Sequence, residues 1–296
     1  MTRFLQHLFD FESPETSGHR LFFRLFEVFV VFYVVSFSWE WGSYIQRIDS
    51  VLLPLGIANY LDVSFMFQDG ISLMNAALIT GLAAAALIFR SRYAYIAMLL
   101  LFHLQYVSRY SLGEISHGSN LIGMSLLVLA LGGLFFSRSY EQRRFVLGGM
   151  YFFLGLGYTS AGISKLIGTG LDWPRGEHLV LWIAERQVDT ISKFGVGDLN
   201  GLQNLIVEST GIGTIVLAFG LVAELLGFMM WWPRYRPYIL VVLIGMHLGV
   251  ASSMNILFDV FIYQLLLFVI PWATLYDGLV LRSARLRSFN IRFLSE

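Results

Sequence analysis

Eight stretches of about twenty predominantly apolar residues fill most of this chain. That is the length a helix needs to cross the hydrocarbon core of a bilayer. They fall at about 21–38, 71–89, 93–112, 120–136, 145–166, 210–230, 237–254 and 256–276. In hydrocarbon each backbone N–H and C=O must find its partner within the segment, so apolar runs of this length predict spanning helices. The stretches at 21–38, 93–112 and 145–166 contain charge or histidine and signal a span less strongly by hydropathy alone. Hydrophobic residues make up 56% of the chain and charged residues 14%, against about 25% charged in soluble domains. The expected fold is all-α, a polytopic helical membrane protein of about eight transmembrane helices. No tandem repeat, low-complexity tract or linker divides the sequence, so residues 1–296 are expected to form a single membrane domain.

Charge distribution predicts an orientation, because cytoplasmic connectors carry the excess of arginine and lysine. With eight spans, Arg90 and Arg92, then Arg138, Arg143 and Arg144, then Arg234 and Arg236, and finally the tail Arg282, Arg285, Arg287 and Arg292 all fall on one side. The other side holds Arg47, Arg175, Arg186 and Lys193, spread over longer loops. Both termini are therefore expected in the cytoplasm, in a membrane such as the bacterial inner membrane, with loops 39–70 and 167–209 outside. The first twenty residues lack a signal-peptide apolar core and read as an interfacial helix, followed by a capped start at Ser13, Pro14 and Glu15. Within the second outer loop, "GEHLVLWIAERQVDTISKFG" has apolar residues at helical spacing and is expected to lie in the membrane interface. Formal net charge is zero, which does not favour a nucleic-acid partner; membrane lipids are the expected surroundings. The absence of cysteine excludes disulfides, thiolate metal sites and thiol nucleophiles, and no metal is expected.

A charged side chain at the bilayer centre costs on the order of 2.5–3.5 kcal/mol on insertion scales, so each one in a span needs a reason. Arg24 and Glu27, three residues apart, are expected to pair. Glu224 and His247 flank the turn containing Arg234 at similar distances. They are expected to meet as a structural polar pair between antiparallel neighbours, each relieving the other's desolvation; a proton site is the functional alternative. His103 is expected to be a satisfied histidine inside the bundle. At the outward ends of the spans lie Arg109, Glu114, His117, Lys165, Asp172 and Asp259. Together they suggest a polar cluster at one depth, although each also fits an exposed loop residue or a snorkelling side chain.

Lys165 is one of two lysines in the chain, with Lys193, and it stands where an apolar helix ends. Gly155, Gly157, Ala161 and Gly162 remove bulk from the preceding turns, which permits close helix approach or leaves room for a flat ligand. A desolvated amine loses its preference for the charged form and can act as a general base. A helix C-terminus acts in the opposite direction and favours the ammonium.

The stretch "YFFLGLGYTSAGISKLIGTGLDWPRG" resembles the signature of the HTTM (horizontally transferred transmembrane) family, which includes the vitamin K-dependent gamma-carboxylases. The matching positions are Ala161, Gly162, Lys165, Leu166, Asp172, Trp173 and Gly176. The Glu224-containing helix, the Pro233–Arg234 turn, the His247-containing helix and the Phe-rich segment after it are also similar to the family. So is the first helix, "HRLFFRLFEVFVV", and the resemblance covers about residues 15–276.

The resemblance implies a catalytic base at Lys165, which would deprotonate vitamin K hydroquinone or another quinol. Oxygen addition and epoxidation would follow, with carboxylation of a peptide glutamate as a further step. It implies a second catalytic residue at His117, through a loose match of "SHGSN" to a family loop. Arg109, Asp172, Trp173 and Asp259 become candidate substrate-binding residues. Ser164 stands where the family usually has another lysine, and the chain ends soon after the last span, without the large luminal domain that helps the carboxylases bind peptide. The alternative function is a non-catalytic membrane protein for maturation, export or immunity of a peptide, with Lys165 as a charge partner of Asp172 or Asp259. A transporter using Glu224 and His247 as a relay is a third reading.

Overall fold

The structure is a computed structural model that describes residues 3–51, 53–113 and 115–282. Glu114 and the tail arginines Arg285, Arg287 and Arg292 lie outside the described residues. Among those described, twelve α-helices and four short 3₁₀ segments account for the regular structure, and there is no strand. The helices are α1 (Arg3–Phe9), α2 (Ser17–Ile45), α3 (Ile71–Ile88), α4 (Arg92–Tyr110), α5 (His117–Phe135), α6 (Ser139–Thr169), α7 (Gly176–Phe194), α8 (Gly201–Glu208), α9 (Thr210–Leu225), α10 (Arg236–Met254), α11 (Asp259–Val269) and α12 (Trp272–Arg282).

Six helices are long and apolar enough to cross a membrane: α2, α3, α5, α6, α9 with its 3₁₀ extension to Trp231, and α10. A seventh is reached if α11 and α12 are taken as one span; they are separated at Pro271, which has no N–H to continue a helix. The expected third span is present as the 19-residue α4, but it is not among the six. Arg92, His103, Gln105 and Arg109 make it polar. The chain is thus a helical membrane protein with, among the described residues, six to seven helices that qualify as spans by length and composition.

Helix ends follow local chemistry. Thr16 accepts from His19 N and His19 closes the reciprocal bond, a capping box at the start of α2, which satisfies two N-terminal donors. Asn255, in the left-handed region at φ 53°, ends α10, a conformation asparagine tolerates better than most residues.

By internal contacts the chain forms two compact units, Met1–Leu8 with Tyr151–Ile270, and Phe9–Met150 with Pro271–Glu296. The chain passes between the units within α1, within α6 and at Pro271.

In the Phe9–Met150 unit the apolar core includes Phe26, Val30, Val34, Met98, Ile122, Leu126 and Leu129. Polar side chains are buried there, with their hydrogen bonds made. Gln105 on α4 donates to the carbonyls of Ser38 (2.7 Å) and Ser72 (3.2 Å) and accepts from Asn75 (3.0 Å). Such interhelical bonds hold helices together where lipid offers no hydrophobic contrast. Arg24 pairs with Glu27 as expected, and Glu27 also accepts from Tyr95. His103 departs from expectation: it is exposed and stacks on Tyr106 at 6.1 Å, because the buried face of α4 is occupied by Tyr95, Met98, Phe102 and Gln105.

The segment before α2 is tied down by charge. Glu15 takes two 2.6 Å bonds from Arg143 and one of 2.9 Å from Arg20, while Arg144 reaches Asp10 at 3.0 Å. Burial pushes the Glu15 carboxyl up. Arg143 and Arg20 outweigh that and hold it below the ordinary carboxylate value.

In the other unit α7 packs on α9 through buried Leu179 and Ile183, joined by Ile206 and Leu217. Leu181, Val188 and Ile191 of α7 remain exposed, so the helix is apolar on two sides. Its interfacial placement was expected from spacing alone; the packed side belongs to α9.

Candidate functional site

The Tyr151–Ile270 unit contains Lys165, and the sequence of α6 explains which way it faces. Gly155, Tyr158, Thr159, Gly162 and Lys165 recur at helical spacing and form one stripe. The glycines let this stripe approach α9 and its 3₁₀ extension closely. A Cβ on Gly155 would lie 2.5 Å from Trp231 Nε1, and one on Gly162 would lie 3.1 Å from Leu225. From the opposite side, a Cβ on Gly227 would lie 2.7 Å from Tyr158 Cβ. Gly155 and Gly162 therefore serve helix contact, whereas Gly157 faces open space. Thr159 adds a polar tie: its Oγ1 accepts from Phe228 N at 2.8 Å, satisfying a donor just past the end of α9.

This approach brings Lys165 to Glu224. The ammonium donates to both carboxylate oxygens of Glu224, with side chains 30% and 10% exposed respectively. Trp173 lies over the same ammonium, 4.7 Å from Nζ to the ring centroid. A cation on an indole face gains about 0.5–1 kcal/mol at exposed sites and more where water is excluded.

Trp173 is itself held from below and behind. Its carbonyl accepts from His178 Nδ1 at 3.1 Å, and its ring lies 5.9 Å from that of Trp182. The loop bearing it is anchored at Gly176, whose N–H donates to Thr214 Oγ1 at 2.9 Å. A Cβ on Gly176 would meet the Thr210 carbonyl oxygen at 1.8 Å, a distance no side chain can occupy. Gly176→Ala is therefore expected to lower stability by about 1–3 kcal/mol, the range for overpacking. It should also loosen Trp173 from Lys165. Unchanged thermal unfolding and unchanged tryptophan fluorescence in this variant would contradict the packing described.

The expected Glu224–His247 pair is corrected by these contacts. Glu224 is engaged by Lys165, and His247 Nε2 instead lies 2.6 Å from Tyr158 Oη. Both are buried; the reason for the exchange is that the glycine stripe carries α6 against α9, supplying each group with a closer partner. The ring of His247 is flanked by Phe258 and Phe261.

The remaining candidates are distributed as follows. Asp172 is exposed in a 3₁₀ turn, where its backbone carbonyl accepts from Arg175 N at 3.1 Å. Asp259 is exposed and accepts from Val260 N at 2.8 Å in the first turn of α11, where its charge suits the helix N-terminus. Lys165 thus takes neither aspartate as its partner. Arg109 and His117 belong to the Phe9–Met150 unit. Arg109 lies over the Tyr44 ring at 4.2 Å and donates to the Gly113 carbonyl at 3.4 Å; His117 is exposed at the start of α5.

Within one unit, then, Lys165, Glu224 and Trp173 come together, with Tyr158 on the same stripe of α6 and His247 of α10 bonded to it. Sequence reasoning missed Tyr158 and Thr159. Their positions seven and six residues before Lys165, on the glycine-marked face of α6, were the available signal. Chemically, the ammonium–carboxylate pair can exchange a proton without changing its net charge, and the indole excludes water from one side of it. No protein-family model matches this chain, and neither the curated proteins nor the solved structures contain a match to it.

Proposed function

We propose that this is an integral membrane protein of the HTTM type that binds a quinone-type isoprenoid. Lys165 serves as general base toward a quinol, in its oxidation or epoxidation by dioxygen, with carboxylation of a peptide glutamate by carbon dioxide as a further step. The observation that carries the reading is the part-buried Lys165–Glu224 pair beneath Trp173, with Lys165 and Trp173 both in the family-like signature. An amine paired to a carboxylate becomes a base when the proton rests on the carboxyl, so Glu224 is the proton's holding place in this scheme. Trp173 offers a flat apolar surface beside the amine, suited to an aromatic ligand. Asp172 and Asp259 are kept as candidate substrate-binding residues on the resemblance alone, which also names Arg109 for substrate binding and His117 as a second catalytic residue.

The direct test is native lipid extraction from the purified protein, with mass spectrometry of what it retains. Co-purifying menaquinone or ubiquinone, lost in Lys165→Met, is the expected result. If no quinone is retained and none binds when added, the quinone reading fails and handling of a peptide becomes the better account.

The site is proposed to face outward, with both termini cytoplasmic. In support, Asp10 and Glu15 pair with Arg144 and Arg143 in the arginine-rich first turns of α6, and Gly18 N donates to Asp277 of α12 at 2.9 Å. Cysteines introduced at the exposed Ser139 and Ser192 of this cysteine-free chain should label from opposite sides. Reaction of both with an impermeant maleimide on intact cells would overturn the orientation.

A further inference from the structure

Tyr158 and His247 are both more than nine-tenths buried, and they share one hydrogen bond, 2.6 Å between Oη and Nε2. As neutral groups they carry two protons between them, one on the phenol and one on the imidazole. One proton is therefore surplus. If the phenol donates to Nε2, the imidazole proton sits on Nδ1, which is buried without a partner. If Nε2 donates to the phenol oxygen, the O–H is the proton left over. In either arrangement a polar hydrogen is buried beside Phe258 and Phe261 with nothing to accept it.

A pair kept for packing alone gains nothing from that surplus, because apolar groups of the same shape would fill the space at no cost. The pair also adjoins the Lys165 site: Tyr158 packs against Gly227, three residues after Glu224, where an added Cβ would lie 2.7 Å from Tyr158 Cβ. Tyr158 precedes Lys165 by seven residues, two turns along one face of α6.

From this geometry we infer that Tyr158 and His247 form a hydrogen-bond-donor subsite of the Lys165 site. It takes an acceptor oxygen of the ligand, a carbonyl of the quinone or the second hydroxyl oxygen of the quinol, while the ligand's other oxygen faces Lys165. The inference rests on the proposed quinone reading and adds to it the contact for a second oxygen. Neither side chain is a base in this scheme; the dyad binds and orients.

The test is a double variant, Tyr158→Phe with His247→Leu, which removes both protons at nearly constant volume. Its thermal unfolding and its affinity for menaquinone-4 are compared with those of the wild type and Lys165→Met, by quenching of tryptophan fluorescence in detergent. The expected result is a Tm equal to or above the wild type, with menaquinone-4 affinity reduced about tenfold or more, as for loss of one buried hydrogen bond. A Tm lowered by more than about 5 °C would show that the pair is structural and overturn the inference. So would unchanged affinity in the double variant while Lys165→Met loses binding; in that case the Lys165 reading would stand alone. A wild-type protein that does not bind menaquinone-4 would overturn the quinone reading and the subsite with it.

Discussion

Glu224→Ala is expected to destabilise the protein by about 2–4 kcal/mol. Removing one partner of a buried ion pair leaves the other charge uncompensated, which typically costs about 3–5 kcal/mol. The value is set lower here because the Lys165 side chain is 30% exposed and its long stem can carry the ammonium toward water. Replacing both residues, Lys165→Met with Glu224→Met, should recover most of the loss, since a well-packed apolar pair often matches a buried ion pair. The same cycle run on Glu224→Ala and His247→Ala should be close to additive, because these side chains have different partners and sites without shared contacts add. Thermal or denaturant unfolding in detergent decides between the two. Strong coupling of Glu224 to His247, or a single Glu224→Ala loss below about 0.5 kcal/mol, the usual size of a neutral surface change, would refute the pairing described.

The second large effect concerns chemistry. Lys165→Arg keeps the positive charge and can engage the Glu224 carboxylate through two N–H groups, so the variant should fold and insert normally. Guanidinium stays protonated at any accessible pH and cannot serve as a base. Quinol-dependent turnover is therefore expected to fall at least ~100-fold, the low end for losing a general base. Glu224→Gln should fall comparably, because the amide cannot hold the proton that Lys165 must give up. His117→Ala should lose less, as a residue that positions substrate or stabilises charge. Near wild-type turnover in Lys165→Arg would show that the lysine is an anchor rather than a base.

Much of the helical framework was legible from the chain because it depends on local quantities. Apolar runs of about twenty residues mark α2, α3, α5, α6, α9 and α10 without reference to partners. Arg24 and Glu27 could be paired from the sequence because three residues along a helix return to the same face. The count of eight was less secure at two places. In α4, polar residues such as Gln105 are accommodated by bonds to Ser38, Ser72 and Asn75 on other helices, which hydropathy cannot register. At Pro271 the last apolar stretch divides into α11 and α12.

By itself, the sequence determined that this protein is helical and made for a membrane, and that Lys165 occupies an unusual position at the end of a glycine-rich helix. Those properties follow from composition, helical period and span length, which one segment carries alone. Only the tertiary structure decided what Lys165 meets. The glycines at 155, 162 and 227 bring α6 and α9 together, turning the lysine to Glu224 and Tyr158 to His247. The Gly176 anchor then lays Trp173 over the amine. A partner fifty-nine residues away is selected by how closely two backbones can approach, and that distance is a property of the pair of helices, not of either one.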